Sequence, residues 1–195
     1  REFIRIIGGS AFTASVAPNY LFAASGKGPE GVLVEASSFA NPNGWKIDTQ
    51  FYQQMGGNQL LAHGMGKPVR NATTTVEIPG DGKWKVWVRT RNWCPGEWEA
   101  PGRFKVKFDG KLLEPEFGVK DEKWGWQYGG EVEVKTYRGM RGARSYALEL
   151  MDLTGFDGRC DAIFFTREDN PELPNEDLVE LAAWKDRLSG RADQA

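Results

Sequence analysis

The sequence predicts an all-β protein, an antiparallel β-sandwich of jelly-roll type with one C-terminal helix. Three observations carry this expectation. From Gly31 onward apolar and polar residues alternate with period two, the mark of strands with one buried face. Turn residues recur between the runs, within a total of 24 Gly and 10 Pro, which suits many strands joined by tight turns. Helical spacing of apolar residues is convincing only near the C-terminus. At 195 residues the chain has the length of one domain with a sizeable core.

The elements follow in order. Val32 and Val34 alternate with Leu33 and Glu35 in a first strand. A Thr-rich strand spans 72–78, and Pro79-Gly80-Asp81-Gly82 turns it into a strand over 83–91, so that the Asp-Gly signal predicts a hairpin. A second Asp-Gly pair, Asp109-Gly110, joins 103–108 to 111–113. Strands over 131–136, 145–151 and 160–166 complete the set. In the final helix Asn175 is the expected cap, Glu176 and Asp177 suit the first turn, Leu178, Leu181, Ala182 and Leu188 form an apolar stripe, and Gly190 follows as a stop. That stripe must bury against the sandwich or a neighbouring domain. The boundary lies in Asp169-Asn170-Pro171-Glu172-Leu173-Pro174, which divides a sandwich domain over 26–170 from a helix and tail over 171–195.

Residues 1–25 read as an export signal. Arg1-Glu2-Phe3-Ile4-Arg5 is followed by a weakly apolar, acid-free stretch with Ala23 and Ser25 before a cleavage point near Gly26. The first five residues are similar to the second half of a twin-arginine signal, entered at its second Arg. The segment is too short and too rich in Gly, Ser and Thr to span a membrane, so the expected location is periplasmic or extracellular, with no transmembrane segment. An oxidising compartment would allow Cys94 and Cys160 to pair; two buried free thiols are the alternative.

Charge excludes one class of partner. With 25 Lys plus Arg against 27 Asp plus Glu, the chain lacks the basic excess of a nucleic-acid binder. A single His and two distant Cys give no zinc motif, no Gly-x-Ser-x-Gly elbow is present, and no phosphate-cradling glycine motif follows a strand. Structural calcium is conceivable at Asp152, Asp157 and Asp161, although their spacing is not that of an EF-hand loop, and Arg159 and Asp161 read more simply as bracing a turn. No cofactor is expected.

The eight Trp are the distinctive feature. Alternation along 83–91 places Trp84, Val86, Val88 and Thr90 in the core and Lys85, Trp87, Arg89 and Arg91 on a face expected to be at least partly wet. Two aromatic-rich segments, 92–99 with Trp93 and Trp98, and 123–130 with Trp124 and Trp126, would lie at an end of the sandwich where loops gather. Indole faces stack on the apolar faces of pyranose sugars, and Arg forks hydrogen-bond hydroxyls or clamp carboxylates and sulfates. The candidate ligand-binding set is therefore Trp87, Arg89, Arg91, Trp93, Trp98, Trp124 and Trp126, with Gln50 and His63; packing beneath loops is the alternative for several of them.

Several of these segments also carry a resemblance. Gly44-Trp45-Lys46-Ile47-Asp48, Leu61-Ala62-His63-Gly64, Trp87-Val88-Arg89-Thr90-Arg91-Asn92-Trp93, Trp124-Gly125-Trp126-Gln127 and Gly155-Phe156-Asp157-Gly158-Arg159-Cys160-Asp161 resemble the β-sandwich accessory domain of some bacterial FAD-dependent oxidoreductases. That domain is similar in turn to golvesin and xanthan-lyase-type carbohydrate-binding domains. The resemblance implies a jelly-roll module of exported proteins that binds a polysaccharide or oligosaccharide without catalysis, and an acidic glycan would suit the Arg residues. Two alternatives stay open: a jelly-roll polysaccharide lyase, with Arg89 or Arg91, Gln50 and His63 or Tyr128 in its site, or a glycoside hydrolase, which would need paired acids across a cleft; and an interaction domain whose C-terminal helix docks on a partner enzyme, such as an FAD-dependent oxidoreductase.

Overall fold

The computed structural model describes residues 28–96, 99–135 and 143–189; the expected export segment, Trp98 and Thr136 lie outside the described residues. Ten strands run in chain order as β1 (Val32–Glu35), β2 (Lys46–Asp48), β3 (Gln59–His63), β4 (Ala72–Pro79), β5 (Gly82–Thr90), β6 (Phe104–Phe108), β7 (Lys111–Leu112), β8 (Gly125–Val134), β9 (Ala143–Asp152) and β10 (Phe156–Thr166). Two helices, α1 (Tyr52–Met55) and α2 (Leu178–Leu188), and a 3-10 turn at Ala36–Ser38 complete the described elements.

The strands form the two sheets of an antiparallel sandwich. One has the order β2-β3-β10-β5-β8, with β1 beside β3 on the same edge of β10; the other has the order β4-β9-β6-β7. Val32, Val34, Leu60, Val76, Trp84, Val86, Val88, Phe104, Leu148, Leu150, Ile163 and Phe165 meet between the sheets. Trp45 belongs to this core as well, buried edge-on against Phe104 at 5.6 Å between ring centres.

Three expectations about the strands are corrected. The Pro79–Gly82 turn makes no hairpin: β4 pairs with β9 in one sheet, β5 with β10 and β8 in the other. An Asp-Gly signal encodes a chain reversal, but the partners are set by which faces must be buried, and here the reversal carries the chain across the sandwich. Asp109-Gly110 does close a true hairpin between β6 and β7, with both residues at positive φ (46° and 81°). The segments around Ile47 and Leu61 are the strands β2 and β3, which three residues and an unbroken apolar run respectively hid from a period-two reading. Finally, β8 and β10 begin at Gly125 and Phe156, earlier than alternation suggests, because each contains a register shift that breaks the period.

The largest correction concerns the outer face of the six-stranded sheet. It is not open to water along β5, because α2 lies on it. Leu181, Trp184 and Leu188 of α2 close over Leu33, Ala162 and Phe164, with Trp87, Trp126, Leu173 and Leu178 packed around them. Trp184 meets Phe164 and Trp126 edge-on, at 4.9 and 5.8 Å, and its Nε1 donates to the carbonyl of Pro29 at 3.0 Å. The apolar stripe of the helix is thus spent on its own sandwich. Asp177, not Asn175, caps the helix, accepting from the N–H groups of Val179 and Glu180, an interaction worth about 1 kcal/mol.

A buried ionic cluster locks this helix down. The shift in β10 between Cys160 and Ala162 leaves Asp161 as an additional residue opposite β5. Its carboxylate accepts from Arg89 Nη1 at 2.7 Å and from Lys185 Nζ at 2.8 Å. All three side chains are at least 97% buried. Asn175 completes the cluster, accepting from Arg89 Nε and donating to the carbonyl of Trp124.

Candidate functional site

Where α2 does not reach, the same face ends in a rim built from the ends of β3, β5 and β10. His63 closes β3 opposite Phe156, which opens β10. The His63 Nδ1 lies 2.6 Å from Asp157 Oδ1, a contact in which Nδ1–H donates to the carboxylate and Nε2 is left for other partners. Trp93, just past β5, donates from Nε1 to the carbonyl of Phe156 at 2.8 Å. Gly102 makes room for it, since a Cβ there would stand 2.8 Å from the indole and 2.9 Å from the Asp157 carbonyl. Phe156 is half exposed, with its ring against Gly66.

Beside Trp93 the rim continues as alternating rings and guanidinium groups. The Arg159 guanidinium carbon lies 5.4 Å from the Trp93 ring centre and 5.7 Å from that of Phe51. Arg91 approaches Phe51 at 4.9 Å, and Phe51 meets Trp124 edge-on at 6.0 Å. These distances are those of cation–π contacts. Burial pushes the Arg159 guanidinium below its ordinary pKa, with Asp157 opposing the shift and neighbouring Arg91 adding to it. Burial also lowers Arg91, against the pull of Glu122. A cleft of about 520 Å³ opens next to Arg91, walled by Gln54, Glu122, Lys123, Trp124 and Glu176.

The rim therefore unites some of the residues expected from sequence and not others. His63, Arg91 and Trp93 lie on it, while Trp124 is a buried wall of the cleft. Gln50 sits in the exposed turn after β2, its N–H bonded to Asp48 Oδ1. Arg89 is 1% exposed and committed to Asp161 and Asn175. Trp87 packs on Tyr128 at 5.2 Å, and Trp126 donates to the Pro174 carbonyl beneath α2. These three are interior or half-buried because the helix covers the face that alternation alone left wet.

Phe51, Phe156 and Arg159 join the rim although sequence patterning did not single them out as ligand-facing. Alternation along β10 would have put Arg159 on the core face; the register shift between Cys160 and Ala162 turns it outward, and nothing local marks Phe51, which arrives through the turn before α1.

The three acids of 152–161 point to different places. Asp152 accepts from the backbone N–H groups of Val69, Thr154 and Gly155, Asp157 holds His63, and Asp161 is interior. Asp161 thus braces a helix rather than a turn. Among the described residues no group of three or more His, Cys, Asp or Glu is placed to hold a metal ion. Cys94 and Cys160 are both free, and burial, then the charge of Asp161, raises the Cys160 thiol well above its ordinary pKa. No helix among the described residues is long and apolar enough to cross a membrane.

No protein-family model matches the sequence, and no curated protein matches it. Solved structures do. The family 35 carbohydrate-binding module from Clostridium thermocellum superposes with a TM-score of 0.51 at 12% identity, over 70% of this chain and 98% of its own. The GH26-CBM35 β-(1,4)-mannanase of Podospora anserina gives a TM-score of 0.52 at 16% identity, over 74% of this chain; the match spans only 28% of the mannanase. At these identities the likeness is one of architecture: the chain shares the antiparallel β-sandwich fold of a carbohydrate-binding module.

Proposed function

We propose that this chain is a non-catalytic carbohydrate-binding module. The carrying observation is the rim, where the half-exposed ring of Phe156 and the partly exposed indole of Trp93 stand beside His63 and Arg91 on a fold shared with such modules. Rings of this kind stack on the apolar face of a pyranose, while His63 Nε2 and the Arg91 guanidinium hydrogen-bond its hydroxyls. The hydrogen bond from Trp93 to the Phe156 carbonyl and the close packing at Gly102 hold the indole in place before a ligand arrives, which lowers the entropic cost of binding.

The burial of Arg89 argues against the lyase alternative in the form that uses it to neutralise a uronate. Export through residues 1–25 and attachment to a larger catalytic chain, such as an oxidoreductase of the kind that carries the accessory domain the sequence resembles, belong to the same proposal.

Isothermal titration against neutral, uronic and sulfated polysaccharides tests the reading. Binding to at least one of them, weakened by Trp93→Ala in a folded variant, is the expected result. Absence of binding to the whole panel overturns it.

A further inference from the structure

Arg159 is a cation in an unusual position. The residue is 93% buried, yet no carboxylate lies within ion-pair distance of it among the described residues. Arg cannot shed its proton, so the charge stays and must be compensated where it lies. The compensation present is incomplete. Nη1 donates to the Asp157 carbonyl at 2.8 Å, and the rings of Trp93 and Phe51 offer their faces, but Nε has no partner.

The neighbouring acids are turned to other tasks. Asp157 holds His63, and Asp48 accepts from the Gln50 N–H and Gln59 Nε2. Arg91, which also approaches the Phe51 ring, is half-buried; it makes no hydrogen bond or ion pair among the described residues, and its Nε is likewise unpartnered. Glu122 influences Arg91 only at a distance. Two guanidinium groups of like charge thus approach one ring, Arg91 just past the end of β5 and Arg159 on the neighbouring β10, where Cys160 pairs with Thr90; each has an unpartnered Nε and neither has an ion-pair partner among the described residues.

We infer that Arg91 and Arg159 form an oxyanion subsite, and that the ligand of the rim is a glycan bearing a carboxylate or sulfate group that lodges there. The inference rests on the carbohydrate-binding reading for the carrier of the anion, but not for the anion itself. A guanidinium fork presents paired N–H groups that match the oxygens of either group, whereas a neutral hydroxyl would leave the charge of Arg159 offset only through space by Asp157 and Asp48. Arg159, which does not line the cleft, is the buried member and acts through its charge; Arg91, which lines the cleft, makes the contact.

The test is titration of the full chain with methyl glucuronide, methyl glucoside, galacturonan, dextran, dextran sulfate and sodium sulfate. It compares wild type with Arg91→Gln and, where circular dichroism shows it folded, Arg159→Gln. The expected result is a preference of about tenfold or more for a charged saccharide over its neutral counterpart, reduced to about twofold or less in Arg91→Gln because the charged saccharide loses more affinity than the neutral one. The preference shrinks with added NaCl, and comparison of galacturonan with dextran sulfate identifies the anion. Equal binding of neutral and charged saccharides, or a preference that survives Arg91→Gln, overturns the inference and leaves the carbohydrate reading standing. Sulfate binding that depends on Arg91 without binding of any saccharide supports the oxyanion subsite and overturns the carbohydrate reading. No binding of any charged probe overturns the subsite.

Discussion

The ammonium of Lys185, carried by α2, lies 2.8 Å from both carboxylate oxygens of Asp161 on β10, and the pair is sealed from solvent. Arg89 approaches the same carboxylate, so two buried cations depend on one anion. The cluster holds the helix over the outer face and closes that face to ligand.

The asymmetry of charge predicts unequal costs. Asp161→Asn leaves Arg89 and Lys185 facing one another without an anion and should cost about 3–5 kcal/mol, whereas Lys185→Met leaves a neutral Arg89–Asp161 pair and should cost less than about half of that. Urea denaturation of both variants checks the order; equal losses would contradict the cluster as described.

The aromatic residues should separate into two groups. Phe156→Ala, at a half-exposed ring on the rim, is expected to weaken glycan binding by about tenfold with stability changed by less than about 1 kcal/mol. Trp126→Ala, which removes the indole packed against Trp184 and bonded to Pro174, is expected to cost about 3 kcal/mol and leave affinity in the folded fraction unchanged. Titration calorimetry and thermal unfolding on the same preparations measure both.

The thiols should differ in reactivity. Cys160 is fully buried with its pKa raised, so at pH 8 it stays protonated and shielded, while the partly exposed Cys94 is alkylated. One equivalent of iodoacetamide is expected to react with native protein and a second only in denaturant, as read by mass spectrometry; two fast equivalents in the native state would place Cys160 wrongly.

Backbone crowding supplies a further test. Gly155 has φ +71°, and a Cβ there would run into the backbone of Lys67. Gly110 has φ +81° with open space around it. Gly155→Ala should therefore lose more than about 3 kcal/mol, or fail to fold, where Gly110→Ala loses about 1 kcal/mol. Thermal melts of the two variants decide it.

The sequence by itself determined the sandwich, the C-terminal helix and the core face of β5, because period-two alternation and turn residues are local and survive in one dimension. Alternation along 83–91, the aromatic-rich segment 92–99 and the single His also made Arg91, Trp93 and His63 candidates for ligand contact. Only the tertiary structure decided that β4 and β5 belong to different sheets, that Asp161 stands at a register shift beneath α2, and that Arg89, Trp87 and Trp126 are covered while Phe51 and Arg159 reach the rim. Alternation tells which residues share a face; what covers that face depends on residues more than eighty positions away, as Lys185 is from Arg89. The pairing of charges follows the same rule, since an Arg without a carboxylate is recognisable only once every neighbour in space is known.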